Sequence, residues 1–111
     1  GNLKVDILSP VIPFIKYLKS KNVSVNLFDP YYSIKEIKQI TGVNSFKYPE
    51  DLSKFDCIVI SIDHKEFKIN MKNIGNHLKN CKYILDNMRV WEKIKFPKNI
   101  TYKIPGEKNW L

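Results

Sequence analysis

An α/β fold, with a mainly parallel sheet between helices in three layers, is what this 111-residue chain predicts. Three observations point there. Short β-branched or apolar runs alternate with stretches whose apolar residues recur at helical spacing. Successive runs stop on an aspartate: VSVNLFD at Asp29, CIVISID at Asp63 and YILD at Asp86. Polar, ring-bearing or basic residues follow each stop, reading PYY, HKEF and NMRVW. Strands buried on both faces read as continuous apolar runs, and a parallel sheet offers its ligand site at the carboxyl ends of its strands. The repeated pattern marks a crevice without saying what fills it.

The elements follow in order. Leu3–Leu8 (LKVDIL) reads as a first strand. Ser9 as N-cap and Pro10 as first helical residue then start a helix running to about Asn22, with Val11, Ile15 and Leu18 as its apolar stripe. Pro13 falls in the first turn, where a missing N–H costs little. Val23–Phe28 is the second strand. Ser33 and Glu36 form a capping box for a helix that closes at Gly42. Phe46–Tyr48 is a short strand, and Pro49–Lys54 a brief helical turn with Glu50 and Asp51 at its positive end. Cys57–Ile62 is a strand suited to the sheet centre. A helix over Met71–Asn80 buries Met71, Ile74 and Leu78, and strands follow at Tyr83–Leu85 and Ile100–Lys103. Residues 1–111 form a single domain with no linker or repeat.

Composition narrows the function classes. The content is ordinary for a globular domain, 43% hydrophobic and 27% charged. No apolar run approaches the length of a membrane span, and no partner membrane is expected. Cys57 and Cys81 lack CxxC spacing and fit reduced thiols of a cytoplasmic protein. The net charge of +8 raises nucleic acid as a partner, but every basic residue except Arg89 is a lysine, scattered along the chain. Arginine is the preferred fork for phosphate and base edges, so the pattern argues for a solvated lysine surface and against nucleic acid.

Each candidate site residue has two readings. Asp29 lies about twenty residues beyond the first strand-to-helix turn, where a dinucleotide fold places its ribose-binding acid. That turn reads LSPVIP, with no GxGxxG and two prolines in place of N–H donors, so no NAD is expected on this domain. Asp29-Pro30 reads equally well as turn chemistry. His64 is placed to donate to a phosphate or move a proton, or simply to cap a loop. It has no paired nucleophile, and His77 lies too far along the chain for metal-ligand spacing. Arg89 suits phosphate recognition at a crevice lip, or a salt bridge to Asp86. Tyr31, Tyr32, Phe67 and Trp91 either stack on a ligand ring or lid the core.

Taken in order, the pieces are more specific. SP-V-I-x-x-I-x-x-L, then V-x-V-N-L-F-D-P, then F-D-C-I-V-I-S-I-D-H-K-E-F, then Y-I-L-D-N resembles the C-terminal domain of the UDP-glucose/GDP-mannose dehydrogenase family. The likeness runs from about Ser9 to Asn87. It implies a Rossmann-like domain that holds the nucleotide of a UDP-sugar, with Ser9, Asp29, His64, Asp86 and Arg89 lining the crevice. It also implies a C-terminal fragment of a longer enzyme, one that uses NAD to oxidise the C6 alcohol of a UDP-hexose to the uronic acid. The N-terminal NAD-binding domain and the central domain of such an enzyme have no counterpart in this sequence, and neither Cys57 nor Cys81 lies in the family's catalytic cysteine motif. Two departures stand out. The family's lysine and arginine before the serine-proline are missing. Its basic residue after the "I-D" strand end usually lies two positions past the aspartate, whereas Arg89 lies three past Asp86. These departures keep a rival reading open: a free-standing regulatory or scaffold domain that retained the fold and lost the ligand.

Overall fold

The computed structural model describes residues 8–68 and 71–106. The chain divides into two compact units, Gly1–Lys47 and Tyr48–Leu111. Most of the strand expected over Leu3–Leu8 lies outside the described residues; Leu8 itself is buried in helical backbone, which corrects the end of that strand.

In the first unit, Ser9–Val11 form a 3-10 turn that leads into helix α1, Ile12–Ser20. The N-cap of α1 is therefore Val11, not Ser9, with Pro13 in its first turn. Prolines at 10 and 13 leave this helix start short of N–H donors, and a 3-10 turn tightens the entry without needing them. Ile15 is buried and Val11 packs beside it, in a core with Leu8, Tyr32, Ile37 and Val43. Helix α2, Ile34–Thr41, forms as its sequence demands. Ser33 Oγ accepts from the Glu36 N–H at 3.1 Å, while the Glu36 carboxylate accepts from the Ser33 N–H at 2.9 Å. Gly42 ends the helix in the left-handed region at φ 78°, a conformation that a side chain would strain.

Of the strand expected at Val23–Phe28 the described residues show one parallel bridge, Asn26 to Asn44, and Phe46–Tyr48 forms no strand among them. The Leu27 N–H donates to the Asn44 carbonyl at 3.2 Å and the Asn26 side chain to the same carbonyl at 3.3 Å. Val23–Phe28 is apolar enough for a strand, but a ladder needs successive paired residues, and among the described residues of this unit only the bridge supplies a pair.

The second unit carries a three-stranded sheet, parallel throughout, in the order β1 (Cys57–Ile60), β2 (Tyr83–Asp86), β3 (Thr101–Lys103). Cys57 pairs with Tyr83 and Ile60 with Asp86; Tyr83 pairs with Thr101 and Leu85 with Lys103. Among the described residues the middle strand is therefore β2, and the run expected at the sheet centre, Cys57–Ile62, is shorter and is paired on one side. It stops at Ile60 because its partner runs out. The Ile60 carbonyl takes the Asn87 N–H at 3.0 Å, and beyond that the chain after Asp86 turns away from the ladder.

Around the sheet, Glu50–Lys54 forms the expected turn as a 3-10 helix. A further 3-10 turn at Lys65–Lys68 was not expected. The helix expected over Met71–Asn80 is a 3-10 helix at Met71–His77. Asn73, Gly75 and Asn76 are poor α-helix formers, and no acidic residue supports its first turn. Ile74 and Leu78 are buried as the spacing predicts.

Candidate functional site at the carboxyl ends of the parallel strands

Because β1, β2 and β3 run parallel, their carboxyl ends share one edge, and the polar segments after Ile60 and Asp86 leave the sheet side by side. His64, Asp86 and Arg89 all belong to this unit. Ser9 and Asp29 belong to the first unit, and each is described there.

Asp86 is fully buried, and its carboxylate is saturated. Oδ1 accepts from the Met88 N–H at 3.2 Å and the Val90 N–H at 3.1 Å. Oδ2 accepts from the Trp91 N–H at 2.8 Å and the Tyr102 hydroxyl at 2.6 Å. A buried carboxylate is tolerated only when hydrogen bonds replace its hydration, and these four do so. The register explains the tyrosine. Tyr102 pairs with Ile84, and Asp86 lies two residues on, so both side chains emerge on one face and the ring reaches along it. Burial, then the contact with Asp86, pushes the Tyr102 phenol up.

The loop after β2 thus folds back onto the strand's last residue. Inside it, Arg89 has left-handed backbone, φ 57°, unusual for a residue with a side chain. Its guanidinium meets Glu92 at 3.3 Å, with both side chains about half exposed, so the ion pair seen is to Glu92 where the sequence suggested Asp86. An exposed pair of this kind contributes about 1 kcal/mol at most. Trp91 is buried, and its indole N–H donates to the Phe67 carbonyl at 2.9 Å, tying this loop to the 3-10 turn that follows β1.

His64 opens that turn. Its Nδ1 accepts the Glu66 N–H at 3.0 Å, and its carbonyl accepts the Phe67 N–H at 3.0 Å. An accepting Nδ1 carries no proton, so the neutral ring is protonated at Nε2. The capping role weighed for His64 is the one its Nδ1 performs. The preceding Asp63 is exposed and pairs with Lys68 at 3.1 Å. Tyr48 packs edge-on against Phe67, and burial, with Glu66 nearby, pushes its phenol up to about 12.

In the first unit, Asp29 is buried and Oδ1 accepts the Tyr31 N–H at 2.8 Å, while its carbonyl accepts the Tyr32 N–H at 3.1 Å. This is the turn chemistry that Asp-Pro favours. Ser9 begins the 3-10 turn leading into α1. Of the four aromatics weighed as stacking platforms, Tyr32, Phe67 and Trp91 are buried in the core and Tyr31 is exposed.

Sequence reasoning missed Tyr102 and Glu92. No motif marks either, and only the strand register reveals that Tyr102 reaches Asp86. The described residues do not fit a pyrophosphate-binding loop. Gly42 closes a helix at its C-terminus, Gly75 lies within a 3-10 helix, and α1 begins among prolines. Among the described residues no group of three or more His, Cys, Asp or Glu could hold a metal ion. No described helix is long and apolar enough to cross a membrane. Cys81 is buried with its thiol pushed up to about 11, mainly by desolvation, and Cys57 is shifted the same way. Neither has the depressed pKa of a nucleophilic thiol.

A parallel sheet with structured polar loops at its carboxyl edge defines an α/β domain of the class that receives ligands there. The chain belongs to the UDP-glucose/GDP-mannose dehydrogenase family: the model of that family's UDP binding domain matches residues 6–93. It is 33% identical to UDP-N-acetyl-D-mannosamine dehydrogenase of Methanococcus vannielii, over 86% of this chain and 23% of that protein. It is also 31% identical to 4-hydroxy-tetrahydrodipicolinate reductase of Buchnera aphidicola subsp. Cinara cedri, over 86% of this chain and 34% of that protein. The chain therefore spans about a quarter to a third of the length of these relatives. No solved structure matches the chain.

Proposed function

We propose that this chain binds the nucleotide of a UDP-sugar as the C-terminal domain of a cytoplasmic, NAD-dependent nucleotide-sugar 6-dehydrogenase, and that it has no turnover alone. The observation that carries the reading is the match of a UDP binding domain over residues 6–93, on a chain whose parallel strands end in structured polar loops. In this reading NAD and the cysteine chemistry belong to other parts of the enzyme, since this sequence has no glycine loop and two thiols held protonated by burial. NAD supplies the hydride acceptor for the oxidation; this domain supplies affinity and orientation.

The roles follow from the chemistry of each side chain. Arg89, exposed at the carboxyl edge, contributes the charge that meets the diphosphate. His64 presents its Nε2 proton as a donor. Asp86 shapes its loop through backbone N–H groups, so its part in the site is to set the wall there. Titrating the 111-residue chain with UDP and UDP-sugars by calorimetry tests the reading. Saturable binding of UDP with weaker binding of uridine is the expected result. No binding at millimolar UDP would leave the rival scaffold reading, with shared ancestry only.

A further inference from the structure

Buried carboxylates that take four hydrogen bonds are seldom incidental, and the one here controls a loop. Asp86 gathers the N–H groups of Met88, Val90 and Trp91, so the backbone on both sides of Arg89 is fixed to one side chain. Arg89 itself has left-handed backbone, which is strained for a non-glycine residue and persists only when the surroundings hold it. The Asp86 carboxylate is in turn held by the Tyr102 hydroxyl at 2.6 Å. Tyr102 is fixed from its other side by Phe96, whose ring stacks on it at 5.0 Å between centroids. Phe96 also packs against Trp91, at 6.3 Å, so the unit closes on itself.

We infer that Tyr102 is a positioning residue for Arg89: through Asp86 it fixes the loop Asn87–Trp91, and so fixes where the guanidinium stands when a nucleoside diphosphate arrives. The inference rests on the proposed UDP site. A flexible loop would have to order itself on binding, and that cost would be subtracted from the affinity; a loop already held in shape avoids it. Glu92, beside Arg89 on the same loop, keeps the guanidinium extended at the edge through a weak exposed pair that a diphosphate readily displaces.

Replacing Asp86 threatens the fold, so the test removes only the hydroxyl, with Tyr102→Phe. UDP is titrated calorimetrically into the 111-residue chain as wild type, Y102F, R89A and the double variant, with near-ultraviolet circular dichroism as the check on packing. The expected result is that Y102F weakens UDP binding about fivefold, the size of coupling common between residues in one hydrogen-bond network, and has no effect once Arg89 is alanine. Hydrogen exchange at the Val90 and Trp91 amides should quicken in Y102F. Equal weakening by Y102F with and without Arg89, or no weakening at all, overturns the positioning role while leaving the UDP site in place. Absence of UDP binding by the wild type overturns the site, and the positioning role with it.

Discussion

The Tyr102 hydroxyl stands 2.6 Å from Asp86 Oδ2, across adjacent parallel strands, and completes a set of four donors around a carboxylate with no solvent exposure. Parallel pairing of Ile84 with Tyr102 makes the contact possible. The aspartate that ends β2 therefore belongs to the architecture of the sheet's carboxyl edge more than to its surface.

Removing this carboxylate strands the buried Val90 and Trp91 N–H groups and the half-buried one of Met88. Asp86→Ala is expected to cost about 3 kcal/mol or more, since each unsatisfied buried donor costs about 1–3 kcal/mol. Tyr102→Phe should cost about 1 kcal/mol, because it removes one donor and leaves three. Urea denaturation of the two variants beside wild type measures both. Equal losses would show that the tyrosine, not the loop N–H groups, does most of the holding.

Alkaline pH should destabilise the chain before acid chemistry at the site matters. Cys81 is raised to about 11 and Tyr48 to about 12, each chiefly by burial, and Tyr102 is raised as well. A raised folded-state pKa means the folded chain holds its proton where the unfolded chain has released it. Stability is then full below the ordinary values of 9.0 for the thiol and 10.0 for the phenols, and falls as pH rises through the shifted values. The urea midpoint should be level from neutral pH to about 9 and drop steadily beyond. Cys81→Ser should flatten the first part of that fall. A midpoint that rises above pH 9 contradicts the burial described.

His64 offers a direct spectroscopic check. With Nδ1 accepting the Glu66 N–H, the neutral ring must carry its proton on Nε2. Nitrogen-15 shifts of the imidazole should report that tautomer. A ring protonated at Nδ1 would place the 3-10 turn after β1 in a different geometry and remove His64 as its cap.

The reciprocal capping box at α2 provides a prediction independent of any ligand. Ser33→Ala should lower stability by about 1 kcal/mol, and Ser33→Asp should restore most of it. Thermal unfolding followed by circular dichroism separates the three proteins.

Local signals carried this helix, the brief turn at Glu50–Lys54 and all three strands of the second unit. Ser33 with Glu36 and Gly42 is readable because each residue's role is set within one helical turn. Strand length was less legible, since Ile60 ends β1 only because Asp86 turns its own loop inward. Val23–Phe28 has strand composition yet forms a single bridge among the described residues, because pairing depends on a partner segment that composition does not reveal. The Met71–His77 segment lost its α geometry to Asn and Gly, while Ile74 and the following Leu78 are buried as expected and the side chain of Met71 lies outside the described ones. At the candidate site, the order of strand-end residues was enough for the family. The fate of Asp86 was not legible, because it depends on a tyrosine sixteen residues on, brought alongside by β3. Arg89 was found as the lone arginine, but its partner Glu92 and its left-handed backbone became visible only in the folded loop.

The central claim, that the carboxyl edge of this sheet receives the diphosphate of a UDP-sugar through Arg89, is tested most directly by calorimetric titration of UDP into wild type and Arg89→Ala. Wild type should bind UDP saturably, and the variant should bind about tenfold or more weakly, the scale of a lost charge-assisted hydrogen bond. Wild-type affinity should also fall as salt is raised. Equal UDP affinity in the two proteins, with both folded, would contradict the account.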